Sequence, residues 1–263
     1  MTRDTTTSHD RPATVMNDNH TDQHSDDSRP PMKVAFVSET WAPEINGVTH
    51  TLGHLARHLK TRGISLQLIR PKPRTDHHDE FMSEELQVGA IPIPDYDGVS
   101  MGFPASRKIG KLWRGHRPDV VYIATEGPLG LSALNQARRM GIPVISGFHT
   151  NFDQYSRHYI MLKVLSPLVR PFLRRFHNRS TMTLVPTKAQ ADNLAQYGYD
   201  NVNVLSRGLD CERFSPQQRD TSLREQWGAD EDTPVALHVG RLAAEKNVLL
   251  LIDTLEALSL IHI

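Results

Sequence analysis

Arg241 and Lys246 stand five residues apart in the segment Gly240-Arg241-Leu242-Ala243-Ala244-Glu245-Lys246-Asn247. An apolar run that reads as a strand, Pro234 to Val239, precedes the segment, and an apolar helical pattern starts at Asn247. Strand, glycine, cationic turn and helix together make an anion pocket. Helix N-terminal N–H groups supply donors and a positive dipole, and the two side chains supply full charge. Two cations at one helix mouth suit a diphosphate. The plain alternative is a solvated turn in which Arg241 and Lys246 pair with Glu245 or surface carboxylates. About 16 residues follow Asn247, so the sheet that should close such a pocket is expected to be missing.

A second polar segment follows the apolar run Val34-Ala35-Phe36-Val37. It reads Ser38-Glu39-Thr40-Trp41-Ala42-Pro43-Glu44-Ile45-Asn46-Gly47-Val48-Thr49: a loop, then a helix opened by Gly47. Glycine there lets a phosphate or sugar approach the backbone, or serves chain reversal alone. Asn46 suits a hydrogen bond to a ligand and equally suits an N-cap. The loop lacks the G-x-G-x-x-G signature, which argues against a nicotinamide enzyme. His149, in Gly147-Phe148-His149-Thr150, follows the strand Pro143 to Ser146. It could donate to a sugar hydroxyl, shield a cationic transition state, or bond a backbone carbonyl structurally. Glu126, in Thr125-Glu126-Gly127-Pro128-Leu129-Gly130, suits a grip on acceptor hydroxyls or a cap on the helix near Leu129.

Together with the polar connector Ser206-Arg207-Gly208-Leu209-Asp210-Cys211-Glu212-Arg213-Phe214-Ser215-Pro216, these motifs resemble the retaining glycosyltransferases of the GT-B fold, in the large fourth family. The Glu126 and His149 motifs resemble, within it, bacterial GDP-mannose-dependent α-mannosyltransferases and related glycolipid-forming enzymes. The resemblance runs from about Lys33 to about Leu258. It implies transfer of a hexosyl group, mannosyl by subgroup, from a nucleotide-sugar to a lipid or glycan acceptor with retained anomeric configuration. It also implies that Gly47 lies between donor diphosphate and acceptor and that His149 faces the transferred sugar. Asn46 and Glu126 are the candidate acceptor contacts. The donor, GDP-mannose ahead of a UDP-sugar, is a substrate rather than a cofactor, and no metal is implied.

The chemistry asks little else of the protein. The transition state gathers negative charge on the departing diphosphate and positive charge at the anomeric carbon. Arg241 and Lys246 would stabilise the first by roughly several kcal/mol once water is excluded, and His149 would position the sugar. No protein nucleophile is assigned. The family's acidic motif in the donor-binding domain has no counterpart before the chain stops. Leu258 to Ile263 does not continue the family pattern. The expectation is therefore a C-terminally truncated transferase, inactive by itself. The competing expectation is a non-catalytic module that binds an acceptor or a membrane.

The domains expected are a disordered tail (1–31), an acceptor-side Rossmann-like domain (32–205), a connector (206–233) and the start of a donor-binding domain (234–263). The tail is rich in Thr, Asp, His, Ser and Pro and cannot bury enough apolar surface to offset ordering entropy. It has no apolar core of a signal peptide. The 263 residues are 38% hydrophobic with zero formal net charge, which suits a soluble enzyme and gives no sign of nucleic acid. Cys211 is the single cysteine, so no internal disulfide forms, in keeping with a reducing, cytoplasmic setting.

From Lys33 onward strand and helix patterns alternate, which predicts a parallel α/β sheet with helices on both faces and ligands at the strand C-termini. Expected strands include Ile64 to Ile69, Val88 to Ile93, Asp119 to Ala124, Thr181 to Val185 and Asn201 to Leu205. Gly63, Gly141 and Gly198 end expected helices. Gln154 to Ala191 contains no Asp or Glu, and Arg170, Arg174 and Arg175 are interleaved there with apolar residues. Pro167 and Pro171 are expected to divide it into short helices. Such a surface fits docking on anionic lipid at the inner membrane face, or is an ordinary packed helix with solvated arginines.

Overall fold

The computed structural model describes residues 30–75, 77–92, 100–149, 160–240, 242 and 247–261. The expected disordered tail lies almost entirely outside them, as do Arg241 and Lys246. Residues Pro31–Ile263 cluster as one unit.

The strands are β1 (Lys33–Val37), β2 (Ser65–Pro71), β3 (Glu84–Val88), β4 (Ala90–Pro92), β5 (Ser100–Gly102), β6 (Val120–Ile123), β7 (Val144–Gly147), β8 (Met182–Val185) and β9 (Val202–Val204). The helices are α1 (Gly47–Thr61), α2 (Ser106–Gly115), α3 (Pro128–Arg139), α4 (Ile160–Asn178), α5 (Lys188–Gln196), α6 (Thr221–Gln226) and α7 (Val248–Ile261). Seven strands form one sheet in the order β3-β2-β1-β6-β7-β8-β9. Every pairing in it is parallel. The expected class, a parallel Rossmann-like α/β sheet covered on both faces, is what forms.

Alternation along β1 shows how the two faces are filled. Ala35 and Val37 join Ile109 and Trp113 of α2 and Leu129 and Leu134 of α3 in one core. Val34 and Phe36 join Trp41 and Leu52 of α1 in the other. Strand residues point alternately to opposite faces, so a continuous apolar run serves both layers. Gly63, Gly141 and Gly198 have φ of 75°, 62° and 80°, a left-handed conformation that costs glycine little, and each ends its helix as expected.

The strand order places the site. From β1 the chain builds outward to β2 and β3, then returns to β6 and builds the other way. The connection sense therefore reverses between β1 and β6. In an open parallel sheet the crevice at the strand C-termini opens at such a point, and ligands bind there.

Three expectations differ from the structure. Val88 to Ile93 is not one strand. β3 ends at Val88, and the Gly89 carbonyl accepts from Phe103 N–H at 2.8 Å, which starts a separate antiparallel β4–β5 ribbon. Pro167 and Pro171 do not divide the basic stretch, because α4 runs 19 residues without a break. Each interior proline forfeits one backbone bond. Phe176 and His177, both fully buried, pack the same helix onto the sheet, and such packing supplies most helix stability. Finally, Pro234 to Val239 is no strand; it pairs with nothing among the described residues, and Leu237 and Val239 are 67% and 85% exposed. A parallel strand forms only against a neighbour that takes its N–H and C=O groups. α7 after it likewise leaves Leu249 and Leu250 exposed.

Candidate active site

The loop after β1 is built by hydrogen bonds that its polar residues dictate. Asn46 Oδ1 accepts from the Val48 and Thr49 N–H groups at 3.1 and 3.0 Å, so Asn46 is the N-cap of α1. Its Nδ2 donates to Thr40 Oγ1 at 2.6 Å, and that hydroxyl donates to Glu44 Oε2 at 2.7 Å. The capping alternative for Asn46 is thus realised. Buried Arg70 fastens the loop from below: its guanidinium donates to the Ala42 carbonyl, to His77 O at 2.6 Å and to Glu85 Oε1 at 2.6 Å. Trp41 Nε1 donates to Asp79 Oδ2 at 2.8 Å.

Gly47 begins α1 without a positive φ, and a Cβ built on it meets nothing within 4 Å. Chain reversal does not demand glycine here, and neither does a described neighbour. The open space in front of it is room for a ligand to reach the backbone.

His149 follows β7, half-buried, with Nε2 at 3.0 Å from Tyr122 Oη of β6. The bond forms with Nε2 accepting, which leaves the proton on Nδ1, or with Nε2 donating. Burial, and next the positive charge of Arg207, push the imidazole down to about 4, so it is neutral at pH 7. Burial raises the Tyr122 hydroxyl above its ordinary value. A Cβ on Gly147 would lie 2.4 Å from both His149 Nε2 and Tyr122 Oη, so glycine makes this pairing possible.

Glu126 follows β6 but does not cap the next helix. Its Oε1 lies 3.1 Å from Nε2 of fully buried His177, whose Nδ1 is 2.9 Å from Ser146 Oγ. Carboxylate, imidazole and hydroxyl stand in the order of a hydrolase triad. Ser146 is fully buried inside β7 and also lies 3.2 Å from Thr183 Oγ1, so no substrate carbonyl reaches it. The network instead fixes Glu126 at the rim, with its side chain 14% exposed.

The cap on α3 comes from Glu39. Its Oε1 accepts from Leu129 N–H at 3.2 Å, while Glu39 N–H donates to Thr125 Oγ1 at 2.9 Å. A Cβ on Gly127 would lie 2.2 Å from that carboxylate. Burial, and after it the charge of Glu126, raises Glu39 to about 7 against the pull of the Leu129 N–H. Glu39 and Arg207 carry no role in the sequence reading. The available signal for Glu39 was an acid two residues after a buried strand, facing a helix start, Gly127-Pro128, that has no capping side chain of its own.

The structure thus brings Asn46, Gly47, Glu126 and His149 to the C-terminal ends of β1, β6 and β7, at the reversal point. Arg170, Arg174 and Arg175 stand apart, exposed on α4. No helix among the described residues is long and apolar enough to cross a membrane.

Comparison with known proteins bears on the family and the fold. Glycosyltransferase Family 4 matches over residues 45–213. A GDP-mannose-dependent alpha-mannosyltransferase of Mycolicibacterium smegmatis is 34% identical over 221 residues, covering 82% of this chain and 58% of that protein. An alpha-monoglucosyldiacylglycerol synthase of Acholeplasma laidlawii is 27% identical over 82% of this chain and 57% of its own length. The chain therefore spans somewhat more than half the length of these relatives. Among solved structures, a sucrose-phosphate synthase from Thermosynechococcus elongatus superposes with a TM-score of 0.65 at 14% identity, over 85% of this chain and 59% of its own. A glycosyltransferase from Rickettsia africae superposes at 0.57 and 16% identity, over 88% and 58%. These likenesses show the fold alone. Matched by the family over more than half its length and by a relative above 30% identity, the chain belongs to Glycosyltransferase Family 4.

Proposed function

We propose that this chain carries the acceptor-side half of a retaining hexosyltransferase, one that moves mannose from GDP-mannose to a lipid or glycan acceptor. What carries the reading is the convergence of Gly47, Glu126 and His149 at the sheet's reversal point in a chain of this family. GDP-mannose is preferred to a UDP-sugar because relatives named for it are 31–34% identical.

In this reading the donor diphosphate lies over Gly47, where no side chain obstructs it. Arg241 and Lys246 face the leaving diphosphate and stabilise the charge that gathers on it. Neutral His149 holds a hydroxyl of the transferred sugar without adding a second positive charge beside an oxocarbenium-like centre. The acceptor rests against Glu126 and the Asn46 loop. Attack comes from the face the diphosphate leaves, so no enzyme nucleophile is needed. No metal or organic cofactor takes part. Arg170, Arg174 and Arg175 dock the protein on anionic lipid at the cytoplasmic membrane face.

The test is sugar transfer by the product of the whole reading frame, supplied with radiolabelled GDP-mannose or UDP-glucose and a lipid extract. Label entering a lipid-soluble product from GDP-mannose, with retained anomeric configuration, is the expected result. Transfer from UDP-glucose alone would reassign the donor, and no transfer from either would remove the reading.

A further inference from the structure

Tyr122 brings a hydroxyl into a buried place and needs an acceptor for its proton. It is 6% exposed on β6, where its ring packs against Phe36 of β1 with centroids 5.6 Å apart. In the sheet it pairs with Ile145 of β7. Side chains two apart on a strand share a face, so Gly147 stands next along that face. Gly147 has no side chain, and the phenol reaches past it to His149 Nε2 at 3.0 Å. A Cβ on Gly147 would lie 2.4 Å from both atoms. Strand pairing, a packed ring and a glycine therefore converge on this one hydrogen bond.

The proton count gives the bond its direction. A phenol has one O–H donor, and a neutral imidazole has one N–H donor and one acceptor nitrogen. Burial keeps the phenol protonated and the imidazole neutral at pH 7. Among the described residues, Tyr122 Oη meets no other hydrogen-bond partner. Were Nε2 to donate, the phenol's own proton would be buried without an acceptor, which costs the desolvation of a polar group. With Tyr122 donating, both groups are satisfied. Nε2 accepts, and the imidazole proton sits on Nδ1, since the bond made by one ring nitrogen sets the state of the other. The two nitrogens flank Cε1, so the ring presents its N–H away from Tyr122.

We propose that Tyr122 is a positioning residue for sugar transfer. It donates to His149 Nε2 and so fixes the tautomer in which Nδ1–H donates to a hydroxyl oxygen of the transferred sugar. The proposal rests on the reading above that His149 faces that sugar. It adds the atom that makes the contact, the direction of the hydrogen bond, and a residue that acts without touching substrate.

Two measurements test it. In the 263-residue chain with isotope-labelled histidine, proton–nitrogen correlation NMR identifies the ring nitrogen that carries the proton, and His149→Ala assigns the signals. At pH 7, His149 should carry its proton on Nδ1. Tyr122→Phe keeps the ring, removes the hydroxyl, and should leave a mixture of both tautomers. A proton on Nε2 in the wild type, or an unchanged tautomer in Tyr122→Phe, would overturn the proposal. The wild-type spectrum decides this even if the variant folds poorly. In the product of the whole reading frame, Tyr122→Phe should lower turnover of GDP-mannose by ~10-fold or more with GDP affinity unchanged. A purely structural tyrosine would instead lower the melting temperature and leave turnover per folded chain at the wild-type value. That result, with His149→Ala impaired, would sink the role of Tyr122 and leave the sugar-facing reading of His149 standing. Wild-type turnover in His149→Ala would remove both.

Discussion

Tyr122 Oη and His149 Nε2 meet at 3.0 Å from the neighbouring strands β6 and β7. The contact places the imidazole where burial and Arg207 both oppose its charge, and holds it near 4. An unfolded histidine binds its proton below about 6.5, whereas folded His149 waits until about 4. Its contribution to stability is therefore complete above the unfolded value and is lost as pH falls toward the folded one. The ring C2–H resonance of His149 should stay constant between about pH 5.5 and 8. A midpoint near 6.5 in that titration would contradict the neutral imidazole on which the proposed positioning role depends.

Two glycines separate folding from ligand approach. Gly147→Ala would press a methyl against His149 and Tyr122, which lie 2.4 Å from the Cβ position, and should cost about 1–3 kcal/mol. Gly47→Ala meets nothing within 4 Å and should leave the melting temperature at or slightly above wild type. Donor binding should nevertheless fall by ~10-fold or more where the diphosphate lies over Gly47 as proposed, because the methyl takes that space. Calorimetry with GDP-mannose, on the product of the whole reading frame, checks this. Unchanged affinity in Gly47→Ala would move the diphosphate away from this helix start.

Glu39 makes stability fall as pH rises. Its folded pKa is raised from 4.5 to about 7, so between those values the native state holds a proton that the unfolded state has released. The buried carboxylate is then a growing penalty, reaching ~3 kcal/mol above pH 7. Glu39→Gln keeps an oxygen for the Leu129 N–H and removes the charge. It should be more stable than wild type at pH 8 and indistinguishable from it below about pH 4.5. Chemical denaturation at both values measures this, and equal stability at pH 8 would show that the carboxylate is solvated.

How far these features were legible follows from their physical range. Val34 to Val37 of β1 and all of β6 are continuous apolar runs, and β2, β7 and β8 are mostly apolar with a few polar residues such as Gln67, Ser146 and Thr183, because parallel strands are buried on both faces; local composition therefore exposed them. Helix ends at Gly63, Gly141 and Gly198 were legible because the left-handed conformation narrows the residue choice. The β4–β5 ribbon was not, since Ala90–Pro92 is recognised only by its pairing with Ser100–Gly102. The unbroken α4 was also hidden, because proline's local cost was visible and the burial of Phe176 and His177 was not. In the site, Glu126 and His149 were legible as polar residues after strand ends, and Gly47 as the glycine that opens a helix. Their partners were not: Glu39 caps α3 across 90 residues and His177 reaches Glu126 across 51. Contacts at such separations have no periodicity to betray them.

Arg241 and Lys246 lie outside the described residues, so their proposed role rests on charge and position in the sequence. In that proposal each supplies a full positive charge toward a departing diphosphate that gathers negative charge. In the product of the whole reading frame, Arg241→Ala or Lys246→Ala should lower turnover by ~100-fold or more, since the lost interaction strengthens only as the bond breaks. His149→Ala should also impair turnover, but with GDP affinity nearly intact, because the contact proposed for His149 is with the sugar and not the nucleotide. The two classes of variant therefore separate in a plot of turnover against GDP affinity: the cation variants fall on both axes and His149→Ala on one. Wild-type turnover in the Arg241→Ala, Lys246→Ala double variant would mean that the leaving diphosphate is stabilised elsewhere, and the mechanism would have to be rebuilt from a different cation.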